Sequence, residues 1–503
     1  MDKRLYKPGT VPRRSFLKTA AACAAASMWG GCWGTESRAN SPNIILIFAD
    51  DLGYGDLGCY GSTTIHTPNL DRLASEGIRF TDYRSVCSVC SPSRASLLTG
   101  RYPSRCGMPY AVGGVYSDLG LQESEVTVAE LLKEQGYRTA CIGKWHLGMP
   151  QGFDFQTHTG FTSQSEFHPK RHGFDLFYGM VGNTHPDGST PLLEDDGIVD
   201  PDAHVTTITE HFTRRAVEFI GAESRRPFFL YLPHTRSHAP WMPNPRFAGK
   251  SKGGVYGDMV EEIDWSTGEL LNHLERFGRA AETLVIFASD NGSSPSAAYG
   301  SNGALRGGKG STFEGGMRVP CIMRWPGQIA AGQTSDAMIN AMDFLPTAAA
   351  ITGARLPRDR AIDGVDLSPV LKGEALANAE VRVFYYYNGL NLQAVREGRW
   401  KLHLPRRSEM LVWWESGLRE LEAPLLFDLV ADPGESRDVA AQHPDIVNRL
   451  LAEAERARTE LGSWERTGSD QHPIEHLMDD RRSLRHLRSQ QGHQALGRET
   501  SHD

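Results

Sequence analysis

Asn43-Ile44-Ile45-Leu46-Ile47-Phe48-Ala49-Asp50-Asp51 is an apolar run without polar alternation, closed by two carboxylates. A strand of that kind suits burial on both faces, as in a parallel sheet covered by helices on either side. Thr283-Leu284-Val285-Ile286-Phe287-Ala288 is its near twin and ends in Ser289-Asp290-Asn291-Gly292. In open α/β sheets, ligands sit outside the carboxyl ends of the strands, so the two acidic ends predict one shared site.

Working outward, short apolar runs alternate with capped helical stretches over residues 41–375. Thr67 with Pro68 starts one helix and Gly77 ends it before Ile78-Arg79-Phe80. Thr127-Val128-Ala129-Glu130 is a capping box, and Gly136 stops that helix before Thr139 to Ile142. The fold class is therefore α/β, with a large central mostly parallel or mixed β-sheet flanked by helices. From residue 376 the pattern changes to Val383-Phe384-Tyr385-Tyr386-Tyr387, a turn at Asn388-Gly389, Leu392 to Arg396, a break at Gly398 and Trp400 to Leu404. These runs, with Leu426 to Val430 and an amphipathic helix over Asp445 to Leu461, predict a smaller C-terminal α+β domain on an antiparallel sheet over 376–465. Residues 466–503 are polar and histidine-dotted, a composition expected of a disordered tail.

The first forty residues have another character. Arg13-Arg14-Ser15-Phe16-Leu17-Lys18 leads into an alanine-rich apolar run, the form of a twin-arginine signal followed by a linker over 1–40. It implies the twin-arginine translocase as a partner and a periplasmic or cell-surface destination. Small residues before Cys32 also raise a lipid anchor there. The formal charge of -8 is too mild and mixed for nucleic acid, and no run beyond the signal reaches transmembrane length. The cysteines show no disulfide framework, and Cys87 with Cys90 has no second pair to complete a zinc site.

Asp50, Asp51, Asp290 and Asn291, brought together, would repel one another unless a cation sat between them. All their donors are oxygen, which selects a hard ion, calcium before magnesium, because a crowded cage of protein oxygens suits the larger one. Two further strands end in cationic groups. Thr139-Ala140-Cys141-Ile142 runs into Lys144 and His146, and Phe228 to Leu232 runs into His234, Arg236 and His238. Gly303 to Lys309 nearly matches a phosphate-binding loop, but Gly310 replaces the required Ser/Thr and no apolar strand precedes it. Its glycines instead let Lys309 approach a tight polar site. Cys90-Ser91-Pro92-Ser93-Arg94, running to Leu98-Thr99-Gly100-Arg101, places a cysteine at a helix start, with Ser91 the expected N-cap.

In chain order, these segments resemble the type I sulfatases, the formylglycine-dependent, arylsulfatase A-like enzymes of the alkaline phosphatase superfamily. The likeness runs from Asn43 to Asp438 and takes in Gly143-Lys144-Trp145-His146-Leu147-Gly148, Glu314-Gly315-Gly316 and Asp363-Gly364-Val365-Asp366-Leu367. It implies a sulfuric ester hydrolase in which Cys90 is oxidised to formylglycine by a formylglycine-generating enzyme. Carried over, Asp50, Asp51, Asp290 and Asn291 hold calcium together with the hydrated aldehyde at position 90. Arg94 and Lys144 steady that hydrate and the sulfate, and His146 is the base acting on it. His238, with His234 as rival, and Lys309 grip the sulfate and assist the departing oxygen. Asn183, Thr184 or His185 supplies a further polar contact, and His168, Arg171, His172, Asp187 and Trp241 are candidates for the substrate pocket.

The expected substrates are aryl sulfates as model compounds and a sulfated carbohydrate in nature. Two other readings fit the same residues. A phosphate or phosphonate ester hydrolase would use the same cage for another tetrahedral anion. An inactive binder of sulfated glycans would keep its thiol at Cys90.

Overall fold

A computed structural model of the 503-residue chain describes residues 41–113, 119–150, 152–154, 157–298, 300–378, 381–407 and 420–473. The twin-arginine segment, Cys32 and the tail beyond residue 473 lie outside the described residues. Ten strands form one sheet in the order Gln333–Ser335, Ile78–Phe80, Cys321–Arg324, Thr283–Ser289, Asn43–Ala49, Phe228–Pro233, Arg138–Lys144, Leu176–Met180, Leu192–Glu194, Gly197–Asp200. The five from Thr283–Ser289 to Leu176–Met180 run parallel, and Cys321–Arg324 pairs antiparallel beside them. The sheet is therefore mixed, with a parallel centre. Shared direction brings Asp50, Asp290, Lys144 and His234 to the same edge.

Alternation along the first strand divides the core. Ile45 and Ile47 meet Ile208 and Phe212 of the Val205–Gly221 helix and Val260 and Ile263 of the Gly254–Arg276 helix. Ile44, Leu46 and Phe48 point the other way, toward Leu97, Leu98, Leu131 and Leu345. Each of these large side chains is fully or almost fully buried, worth roughly 1.5–3 kcal/mol apiece relative to exposure.

Val383–Asn388, Asn391–Glu397, Trp400–His403 and Leu425–Asp428 make an antiparallel meander, covered by the Pro444–Leu461 helix through Leu450, Ala454 and Ala457. Its apolar side belongs to the cluster that contains Leu46 and Phe48, so the small sheet shares its core with one face of the large one. The last strand stops at Asp428, short of the expected Val430, which stands 71% exposed. Within the segment expected as a tail from residue 466, Asp470 pairs with Arg105 and the His472 amide donates to Ser104 O at 3.0 Å.

The capping box at Thr127 is present, with Glu130 N to Thr127 Oγ1 at 3.2 Å and Thr127 N to Glu130 Oε2 at 2.8 Å. Thr67 does not cap its helix. Its hydroxyl accepts from Gly58 N and donates to Asp71, while Asp264 accepts from the Asn69 and Leu70 amides.

Burial holds the His234 imidazole down to about 3 and that of His172 to about 4, so both are neutral in the native state. Unfolded histidine titrates near 6.5. The stability they contribute is complete above that value and is lost as pH falls toward 4, because only the unfolded chain takes up the protons. Urea midpoints measured from about pH 7.5 to about pH 5 should fall steadily with acidification. A flat profile would show that these imidazoles are not held neutral.

Candidate active site

Cys90 is the first residue of the Cys90–Thr99 helix, where unpaired backbone N–H groups favour negative charge. The expected cap at Ser91 is not formed. Val89 precedes the helix without a side-chain cap, and Ser91 Oγ instead accepts from Val112 N at 3.0 Å. Cys90 Sγ lies 3.4 Å from Asp50 Oδ1, toward which it donates. Burial and the Asp50 charge push the thiol well above its usual range, so as a thiol it is a poor nucleophile.

Asp50 and Asp51 follow directly on the first strand, and Asp290 and Asn291 follow on its twin. The two ends are stitched by Asp51 N donating to Asp290 Oδ1 at 3.1 Å and Asn291 Nδ2 donating to Asp51 Oδ1 at 2.7 Å. All four are buried. Asp51 sits on left-handed backbone at φ 60° and His146 at φ 55°, an arrangement costing about 1–3 kcal/mol for a residue with a β-carbon. One oxygen each from Asp50 and Asp290 and the Cys90 sulfur lie within 4.8 Å of one another, and so do the donor atoms of Asp51, Cys90 and His238. Burial and the neighbouring Asp50 charge push Asp290 up to about 7 against the pull of Arg94. Asn291 Oδ1 is buried with no hydrogen-bond partner among the described residues. An orphaned amide oxygen among crowded carboxylates fits a hard dication, and these residues are the ones that would hold it.

Three cations close the ring. Lys144 Nζ donates to Asp50 Oδ2 at 2.6 Å, Arg94 to Asp290 Oδ2 at 2.7 Å, and Lys309 Nζ to Asp51 Oδ2 at 2.7 Å. Burial would raise Asp50, yet the neighbouring positive charges, Lys144 the largest and Arg94 among them, outweigh it and hold the carboxyl well below its usual range. Gly143 lets the Lys144 strand press against Pro233, since a β-carbon there would stand 2.1 Å from the Pro233 carbonyl oxygen. His146 Nε2 lies 3.0 Å from the Val112 carbonyl, which fixes the proton on that nitrogen and leaves Nδ1 bare, buried and without a hydrogen-bond partner among the described residues. Burial and the Lys144 charge keep the ring neutral. His238 Nδ1 donates to Ala239 O at 2.6 Å, and its Nε2 faces Asp51 at 3.8 Å.

Cys90, Arg94, Lys144, His146, His238 and Lys309 are thus gathered around the acidic strand ends. His234 is not: its Nε2 lies 3.3 Å from Ser266 Oγ on the Gly254–Arg276 helix, behind the sheet edge. The pocket candidates have mostly structural partners. His168 Nε2 lies 3.2 Å from Asp195 O, His172 stacks on Trp145, Arg171 pairs with Glu123 at 2.7 Å, and Asp187 accepts from Ser189. Trp241 Nε1 donates to Ser237 O at 3.2 Å. Thr184 Oγ1 donates to Ala239 O, beside His238, and the adjacent Asn183 keeps its Oδ1 buried without a hydrogen-bond partner among the described residues.

Two supports escaped the sequence reading. The Tyr256 hydroxyl lies 3.1 Å from Asp51 O and 2.6 Å from Asp56 Oδ2, and Asp56 also accepts from Gly53 and Ser301 amides. A third acid five residues after the Asp51 carboxylate was the available signal. The Ser91–Val112–His146 chain is the other, and no spacing marks it.

The family model "Sulfatase" matches residues 42–354, and that of the N-sulphoglucosamine sulphohydrolase C-terminal domain matches 308–460. The chain is 36% identical to the steryl-sulfatase of Mus musculus, over 87% of this chain and 84% of that one. With the arylsulfatase A of Bos taurus it shares 38% identity, over 84% and 88%. The crystal structure of Ps i-CgsB in complex with k-i-k-neocarrahexaose superposes with a TM-score of 0.71 at 31% identity, covering 83% of this chain and 92% of that one. Strand-end acids, a cysteine at a helix start and this likeness over most of the chain agree: the protein belongs to the sulfatase family and is a sulfuric ester hydrolase.

Proposed function

We propose that the protein cleaves sulfate monoesters, aryl sulfates in the test tube and a sulfated carbohydrate in nature, with a formylglycine made from Cys90 and a bound calcium ion. The observation that carries this is the buried ring of Asp50, Asp51, Asp290 and Asn291 around Cys90, faced by Arg94, Lys144 and Lys309. Calcium would supply positive charge to the sulfate oxygens, and the hydrated aldehyde an oxygen nucleophile that can later be released.

The chain's own groups do the rest. Three carboxylates against three cations leave the ring formally neutral, so an added dication makes the pocket attractive to an anion. Arg94 holds Asp290 and Lys144 holds Asp50, so both cations stand beside position 90, where charge moves during reaction. His146, neutral and with Nδ1 bare, can accept a proton. Lys309 keeps its proton, since Asp51 and the neighbouring negative charges more than offset burial, and as a fixed cation it can hydrogen-bond to and stabilise the charge on the departing oxygen. His238 is held down by burial and Lys309, and with its Nδ1 proton given to Ala239 O its Nε2 is free to take up a proton and then assist the departing oxygen. The oligosaccharide seen with Ps i-CgsB supports a carbohydrate substrate. Arg13-Arg14 and the apolar run after them support export by the twin-arginine route, with oxidation of Cys90 in the cytoplasm before the site closes.

Protein made together with a formylglycine-generating enzyme should carry a carbonyl at position 90 that a hydrazide probe labels, found by mass spectrometry of the tryptic peptide. Full sulfatase turnover by protein whose Cys90 is an unlabelled thiol would refute the assignment. Among aryl esters, sulfate should be turned over faster than phosphate mono- or diesters of the same phenol. The reverse order would favour the phosphohydrolase reading. His146→Ala should lower kcat by roughly 10²–10⁴-fold with little change in KM, and an unchanged kcat would remove His146 from the proton path.

A further inference from the structure

Behind the turn that carries Lys309 lies a second set of charges that the reaction does not touch. Lys401, fully buried on the Trp400–His403 strand, donates to Thr312 O at 2.7 Å and to Glu314 Oε1 at 3.0 Å, and pairs with Glu435 Oε1 at 2.9 Å. Its ammonium also stands 4.0 Å from the centre of the Tyr386 ring. Glu314 receives Arg84 at 2.5 Å and the Tyr386 hydroxyl at 2.9 Å. Glu435 accepts from the Glu314 amide at 2.6 Å and pairs with His403 at 2.7 Å.

The same turn has neutral tethers. Thr312 Oγ1 donates to Gln393 Oε1 at 2.8 Å, and Asn388 Nδ2 donates to Gly310 O at 3.3 Å. On its other side, Gly310 N donates to Ser88 O at 2.9 Å, two residues before Cys90, and Arg84 stands on the segment that leads there. Full charges in a dry interior add little net stability over hydrocarbon of the same shape. Alternating in sign and each held by several partners, they do restrict the segments that bear them to one arrangement. That restriction matters here because Gly307-Gly308-Lys309-Gly310 would otherwise have wide backbone freedom.

We propose that the Arg84–Glu314–Lys401–Glu435 cluster positions Lys309 against the side chain at residue 90, which makes the C-terminal sheet a working part of the active site. Lys401 is on this account a positioning residue that acts through Thr312 and Glu314. The proposal rests on the reading of Lys309 as the group that supports the departing oxygen.

The test compares Lys309→Ala, Lys401→Met and their double variant on a series of aryl sulfates of graded leaving-group acidity. Lys401→Met should lower kcat roughly a hundredfold and steepen the dependence of kcat/KM on leaving-group pKa, as Lys309→Ala does. The double variant should be little worse than Lys309→Ala alone, because both act on one group. A folded Lys401→Met with the wild-type slope, or losses that multiply, would overturn the proposal while leaving the role of Lys309 intact. An unchanged slope in Lys309→Ala would overturn both. Should Lys401→Met fail to fold, Glu435→Gln removes one charge of the cluster while keeping its shape and decides by the same slope, steepened if the proposal holds and unchanged if it does not.

Discussion

Asp50 accepts from Lys144 at 2.6 Å and from Cys90 at 3.4 Å, with an Arg94 nitrogen also 3.4 Å away, all four residues being buried. Those contacts join the ends of two strands to the start of the Cys90–Thr99 helix. A carboxylate without such partners would not stay ionised at that depth, and a lysine or arginine there would be equally costly alone. The strand ends, the helix start and the cations are therefore mutually required, and the parallel centre of the sheet is what delivers them to one place. With Asp290 pushed up beside it, the same pocket is short of positive charge in one spot, where the orphaned Asn291 oxygen also lies.

Much of this was legible in the sequence because it rests on local pattern. Unbroken apolar runs ending in Asp50-Asp51 and Asp290-Asn291 declare both the buried parallel strands and the acidic end. The Thr127 capping box and the aromatic meander after residue 383 are equally local. What escaped depends on contacts across the chain. Ser91 looked like a helix cap, yet Val112 competes for its hydroxyl. His238 is preferred to His234 in the sequence because it directly precedes Ala239-Pro240, but the physical reason lies in the turn of chain after Pro233, which sends His234 behind the sheet and His238 toward Asp51. His168 and His172 looked like pocket residues because histidine in a loop suggests function. Their rings are instead buried and bonded to main-chain carbonyls.

The small sheet changes in meaning once its charges are traced. Sequence presents residues 376–465 as an added domain, and Glu314-Gly315-Gly316 as a motif without a role. Burial of Glu314 against Arg84 and Lys401 connects them. The glycines beside it admit no side chain, since a β-carbon on Gly316 would stand 1.9 Å from the Ser311 carbonyl oxygen. Glycine gives the Lys309 turn its shape, and the second sheet gives it a fixed place.

Calorimetric titration of calcium into exhaustively chelated protein tests most directly whether the acidic strand ends form a cation cage. Binding of one ion per chain, tightening as pH rises through about 7 as Asp290 gives up its proton and lost in Asp290→Asn, is the expected result. Absence of binding to wild type, or equal binding by Asp290→Asn, would contradict it.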